Sequence, residues 1–272
     1  MPSKWLWARY IDRYARERSP AKRGARWETI RLEKLQRDPI AKIRLGDLSA
    51  RDFASWRDKR LREVAPGSVI REMQLMSSVL NVAVKEWELL GSNPISDVRK
   101  PSKPPPRDRL PTDDELERMA HAAGDDLSNA TARAFHAFRF AMETAMRAGE
   151  ICHIGWDQVD LDRRVITLTK TKNGHPREVP LSSGAVSLLE QLPDLSPVFG
   201  LAPRRLDALF RKIKSRAGVE GLTFHDSRAA AISALAKKLD ILDLAKMVGH
   251  RDLRMLQVYY RETASEIAKK LD

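Results

Sequence analysis

Four of the six residues from Pro101 to Pro106 are proline, and no other stretch restricts the fold of this chain as much. Proline has no N–H to donate and holds φ near −65°, so neither a helix nor a central strand can run through such a segment. The run Arg99-Lys100-Pro101-Ser102-Lys103-Pro104-Pro105-Pro106-Arg107 is predicted to be an extended, semi-rigid and basic link. A chain of 272 residues suits two compact domains better than one core. The expected division is therefore a helical domain over 1–100, the link over 101–107, and a second domain over 108–272.

The two sides differ in their periodicity. Before the link, apolar residues recur at helical spacing: Trp5, Ala8, Ile11 and Tyr14 in one segment, Ile30, Leu32 and Leu35 in another. A third helix is predicted from Ser49, which caps an acidic first turn at Asp52. A fourth follows Pro66-Gly67 and runs from Ser68 to about Leu90, before Gly91. Five of the six tryptophans, Trp5, Trp7, Trp27, Trp56 and Trp87, fall here and read as core anchors.

After the link, Thr112 and Glu115 form the two ends of a capping box, and a long helix is predicted near Ala130–Thr144. The period then switches to strands. Val165–Thr169 and Arg177–Leu181 flank Asn173-Gly174, a hairpin signal, and Trp156–Val159 is a candidate third strand. From Ser183 onward the pattern is helical, broken at Pro193, Pro197, Pro203 and Gly221. The expected fold class is mainly α (α+β): a helical domain, then a mixed domain with a small antiparallel sheet.

The net charge is +12 at a pI near 9.9, which favours a polyanionic partner. Residues 1–106 hold 23 Lys+Arg against 13 Asp+Glu, and residues 107–272 hold 26 against 24. The first part therefore reads as the main backbone-gripping surface. The single cysteine, Cys152, excludes an intrachain disulfide and fits a reducing compartment. Cys152-His153 lacks the paired cysteines of a zinc site and reads as helix packing. No apolar run approaches a membrane span of about 20 residues, and the charged amino terminus does not look like a signal peptide. A cytosolic, nucleoid-associated protein with no membrane contact is expected.

Several residues of the second half have the chemistry to hold and attack a phosphate. Arg147 and Glu150, three apart, share a helix face, so the carboxylate can orient the guanidinium; alone, the pair is a common surface ion pair. Lys172 sits at the hairpin tip, with Lys170 on the same side as its competitor. His225 and Arg228 also stand three apart, and two cationic groups side by side make little sense as packing. His250 follows Gly249, a residue suited to a left-handed helix end. Tyr259 and Tyr260 come nine and ten residues later.

The ordered set Arg147-x-x-Glu150, Lys172 on a hairpin, His225-x-x-Arg228, Gly249-His250 and Tyr259 closely resembles the tyrosine recombinases, phage-type integrases in particular. The resemblance covers essentially the whole chain, with the two parts similar to the family's core-binding and catalytic domains. It implies Tyr259 as the nucleophile (Tyr260 second), Arg147 and Arg228 as holders of the scissile phosphate, and Lys172 as general acid for the 5′-oxygen. It further implies His225 as an aid to deprotonation, His250 as a hydrogen-bond donor to phosphate, and Glu150 as support for Arg147. No metal or other cofactor is expected. The implied partners are double-stranded DNA, three more copies of the chain in a homotetramer on synapsed DNA (a monomer when free), and a DNA-bending host factor or excisionase. A tail helix from Thr263, with Ile267, Ala268 and Leu271 on one stripe, is expected to dock on its own domain or on a neighbour. The chain starts at the helical domain, with no room expected before it for the arm-binding module of many integrases. The family's usual His-x-Leu-Arg-His block reads His225-Asp226-Ser227-Arg228-Ala229 here, which affects packing rather than the catalytic set. Type IB topoisomerase activity, or DNA binding without catalysis, are the competing readings.

Overall fold

The computed structural model of the chain describes residues 4–103, 109–169, 176–250, 252–260, 265 and 268. It divides into two compact units, Met1–Pro106 and Arg107–Asp272.

The first unit consists of helices α1 (Trp7–Glu17), α2 (Ala25–Gln36), α3 (Ala50–Leu61) and α4 (Pro66–Lys85), joined by short single-turn segments. Ser49 caps α3 reciprocally with Asp52, whose carboxylate takes both the Ser49 N–H and hydroxyl. Proline opens α4 because its missing N–H is unneeded in the first turn. The helix ends at Lys85 rather than near Leu90. Beyond it Glu88 adopts a left-handed backbone, φ 52°, and Trp87, Leu89 and Leu90 fold back onto the core as loop. Trp7 meets Phe53 edge-on at 5.3 Å in the core. Two of the expected core tryptophans are instead outside. Trp5 is 54% and Trp27 46% exposed, each with a guanidinium over its ring, from Arg9 and Arg31 respectively. Leu32 and Leu35 carry the buried stripe of α2, which leaves Trp27 and Ile30 beyond its edge. Between α3 and α4, Arg60 and Glu72 form a buried two-bond pair at 2.7 and 3.0 Å.

The second unit runs α5 (Asp113–Ala123), α6 (Ala130–Thr144), α7 (Ala148–Ile151), β1 (Val159–Asp160), β2 (Val165–Leu168), β3 (Arg177–Pro180), α8 (Ser183–Glu190), α9 (Pro203–Arg216), α10 (Asp226–Leu235), α11 (Ile241–Val248) and α12 (Arg254–Gln257). Thr112 and Glu115 cap α5 as a box. Helix α6 is buried over most of its length between α5, α8, α9 and α10, with Arg133 and His136 among its buried residues. Phe138 on α6 stacks on Phe210 of α9 at 4.7 Å and meets Phe224 edge-on at 5.6 Å. The strands form one antiparallel sheet in the order β1-β2-β3, with Ile166 opposite Val179 and Leu168 opposite Arg177. The expected third strand begins at Val159; Trp156–Gln158 form a tight helical turn before it.

A smaller apolar cluster holds the carboxyl-terminal elements together. It unites Ala145 just past α6, Ala231 and Ile232 of α10, Leu244 and Val248 of α11, and Leu256 of α12, with Tyr259 and Tyr260 packed against it. The hairpin tip with Lys170 and Lys172 lies outside the described residues. So does the expected tail helix, apart from Ser265 and Ala268. Among the described residues no helix is long and apolar enough to cross a membrane.

Candidate active site

The end of α6 begins the site. Ala145 takes a left-handed conformation, φ 53°, at a cost on the order of 1–3 kcal/mol for a residue other than glycine. Its side chain is fully buried in the small cluster. The turn points the Ala145 carbonyl at Arg228, whose Nη1 donates to it. Met146 and Arg147 then lead into α7. Glu150 in the first turn of α7 reaches back, and its Oε2 accepts the Arg147 backbone N–H at 2.9 Å while Oε1 accepts Arg147 Nη1 at 2.9 Å. The carboxylate thus closes a capping interaction and holds the guanidinium in the same stroke.

The same carboxylate takes a second guanidinium. Arg177 of β3 donates Nη1 to Glu150 Oε1 at 2.9 Å and Nη2 to Oε2 at 2.8 Å, and its Nε donates to the Met247 carbonyl at 3.1 Å. Burial by itself would raise the Glu150 carboxyl. The Arg177 bonds, followed by those to Arg147, outweigh it and bring the pKa down to about 2. Glu150 is therefore ionised at any physiological pH.

Arg228 lies near the start of α10 and is 4% exposed. Besides the Ala145 carbonyl, it bonds the Val248 carbonyl at 2.7 Å. One guanidinium thereby joins the carboxyl ends of α6 and α11, where helix dipoles favour a cation. Its pKa is pushed down to about 10, first by burial and then by the nearby Arg147 charge, which leaves it protonated at neutral pH.

His250 follows Gly249, which ends α11 at φ 69°. Glycine is needed there for its backbone and for its size: a Cβ would sit 3.1 Å from Arg177 Cδ and 3.3 Å from its Nη1. The His250 Nε2 lies 3.1 Å from Arg228 Nη2. An arginine can only donate, so Nε2 accepts and the proton of the neutral ring is assigned to Nδ1. Burial, then the charges of Arg228, Arg147 and Arg177, lower the His250 pKa to about 4. Its Nδ1 is buried and has no partner among the described residues.

Around His225, burial alternates residue by residue. Leu222, Phe224 and Asp226 are buried while Thr223 and His225 are exposed. Phe224 meets both Phe138 and Phe210 edge-on. Asp226 accepts the Thr223 N–H at 2.6 Å and its hydroxyl at 3.0 Å, the helix-start role its position suggests. Ser227 is buried where the family pattern has an apolar residue, and its hydroxyl is satisfied by the Phe224 carbonyl at 2.6 Å. His225 is thus turned outward by anchors on both sides, and Arg228 bonds His250.

Tyr259 follows α12, half-buried, with its N–H on the Leu256 carbonyl at 2.9 Å. It lies close enough to Arg228 to act on it electrostatically. The neighbouring Tyr260 hydroxyl instead donates to the Leu239 carbonyl at 2.9 Å. Of the sequence-predicted set, Arg147, Glu150, Arg228, His250 and Tyr259 come together. His225 stands at the exposed start of α10, and Lys172 lies outside the described residues. Three guanidiniums (Arg147, Arg177, Arg228) surround one carboxylate and a neutral imidazole, which concentrates positive charge suited to a phosphate.

Sequence reasoning missed Arg177. The signal was present: strand alternation puts Arg177 on the face of Val179 and Leu181, both buried, and a cation on a buried face needs a partner.

Residues 110–266 match the Phage integrase family. The chain is 40% identical to a Haemophilus influenzae protein of the integrase/recombinase class, over 94% of this chain and 73% of that one. It is 35% identical to a shufflon-specific DNA recombinase of Escherichia coli, over 100% of this chain and 74% of that one. Its fold is that of lambda integrase, solved as a tetramer bound to a Holliday junction: TM-score 0.76 at 17% identity, over 96% of this chain and 80% of that one. The chain belongs to the phage integrase family and is a site-specific DNA recombinase of the tyrosine type.

Proposed function

We propose that Tyr259 attacks a phosphodiester of double-stranded DNA. The phenol oxygen bonds to phosphorus and the bond to the 5′-oxygen breaks, leaving a 3′-phosphotyrosyl link and a 5′-hydroxyl. The phenol proton passes to His225, and Lys172 protonates the departing 5′-oxygen. Arg147 and Arg228 hold the non-bridging oxygens, and His250 hydrogen-bonds to the phosphate. A phenol with a pKa of about 10 is a poor nucleophile at neutral pH. The cations favour its ionised form and also stabilise the charge that grows on the phosphate. The covalent link conserves the bond's energy, so a 5′-hydroxyl from a second duplex can reverse the step. Strand exchange then follows in a tetramer holding two duplexes; lambda integrase was solved as a tetramer bound to a Holliday junction. The free chain is a monomer acting on the chromosome in the cytoplasm, with a DNA-bending host factor or excisionase setting direction.

One observation supports this reading above the rest. Tyr259 lies near enough to Arg228 to interact with its charge, whereas the Tyr260 hydroxyl is occupied by the Leu239 carbonyl. The test is a duplex nicked beside its recombination site, which traps the covalent adduct. Tyr259→Phe abolishes the adduct and keeps DNA binding, while Tyr260→Phe still forms it. An adduct persisting in Tyr259→Phe overturns the assignment.

A further inference from the structure

We infer that Arg177 is a positioning residue of the reaction: one buried guanidinium holds Glu150 in the pose that presents Arg147, and braces the turn that carries His250. The inference rests on the role proposed above for Arg147. Glu150 has no freedom left. Each of its oxygens takes one donor from Arg177 and one from Arg147, at 2.8–2.9 Å throughout. The two arginines differ in exposure. The Arg177 side chain is 9% exposed and the Arg147 side chain 20%, so the inner guanidinium is the support and the outer one is the group presented.

The third donor of Arg177 acts elsewhere. Nε donates to the Met247 carbonyl, two residues before Gly249, and the bare α-carbon of Gly249 leaves room for the Arg177 side chain, which a Cβ would crowd at 3.1 Å. Arg177 therefore ties α7, β3 and the end of α11 into one rigid piece. The planar fork is essential to this, because it sends two parallel bonds one way and a third along its edge. An ammonium at the same place keeps the charge but not the geometry.

The test compares Arg177→Met, Arg177→Lys, Glu150→Gln and the double variant Arg177→Met/Glu150→Gln with the unaltered chain. Binding to intact duplex and single-turnover adduct formation on a nicked duplex are followed from pH 5 to 9. Arg177→Met is expected to form adduct roughly 10–100-fold more slowly, the range for loss of an outer support, a far larger effect than its effect on duplex binding. Arg177→Lys recovers only part of the rate. Without Arg177, burial raises the Glu150 carboxyl, so Arg177→Met gains a loss of rate at acid pH. The double variant lacks that limb, since glutamine does not titrate, and its deficit falls short of the product of the two single ones.

An adduct rate in Arg177→Met equal to that of the unaltered chain overturns the inference. So does a slowed rate with an unchanged pH profile and deficits that multiply, the signature of general loosening. Should Arg177→Met fail to fold, full activity in Arg177→Lys overturns it as well. If the unaltered chain itself forms no adduct, the proposed reaction fails, and this inference with it. An adduct there with an indifferent Arg177 removes only the inference.

Discussion

His250 shows how far a single side chain departs from its ordinary chemistry in this site. Partial burial and then three guanidiniums leave it neutral, with one nitrogen accepting from Arg228 and the other a buried donor. Its folded pKa, about 4, lies below the ordinary value of 6.5. The free protein therefore carries the full stability from this residue above pH 6.5 and loses it as pH falls toward 4, where only the unfolded chain gains the proton. Buried His136, lowered chiefly by desolvation, acts in the same direction. The expectation is an imidazole NMR titration for His250 with a midpoint far below 6.5, assigned by its disappearance in His250→Gln. A midpoint at or above 6.5 contradicts the cation cluster. Arg147, His225, Arg228, His250 and Tyr259 could each be named from the chain because each carries chemistry within a local motif. Arg177 could not be placed so easily, since its partners stand 27 and 70 residues away.

At the scale of elements, α6 does most of the positioning. It is the helix against which α5, α8, α9 and α10 pack, and its left-handed end delivers both the Ala145 carbonyl and the Arg147 turn. Phe138 couples it to Phe210 and to Phe224, the anchor immediately before His225. Phe138→Ala should cost about 3–5 kcal/mol, the range for deleting a fully buried phenylalanine, measured by denaturant unfolding of the second unit. A cost below about 1 kcal/mol would mean that the aromatic cluster does not hold these helices together. Most elements were legible in the sequence through periodicity and caps: Thr112 and Ser49 open helices as their chemistry dictates. The end of α4 and the exposure of Trp5 and Trp27 were not. Helical spacing says that a stripe exists, while the neighbouring helix decides how wide a stripe it covers.

Over the whole molecule, charge and chemistry are divided between the two units. The first 106 residues carry a net +10, and the remainder a net +2, with three of its guanidiniums at the candidate site. Affinity for duplex DNA is expected to fall steeply with salt, as counterions return to the phosphates. With six to ten phosphate contacts the loss would be roughly 10³–10⁵-fold between 50 and 200 mM. A flat response in a filter-binding or fluorescence titration would remove the first unit from its backbone-gripping role. Proline content, turn chemistry and the change from helical to strand period marked, from the chain alone, two parts and what each is built of. Those signals are local, read within a few residues. Only the tertiary structure shows that the Tyr260 hydroxyl is taken by the Leu239 carbonyl, that Arg177 completes the Glu150 pair, and that Arg228 joins α6 to α11. Each of these depends on contacts between residues far apart in sequence, which packing creates and no local pattern records.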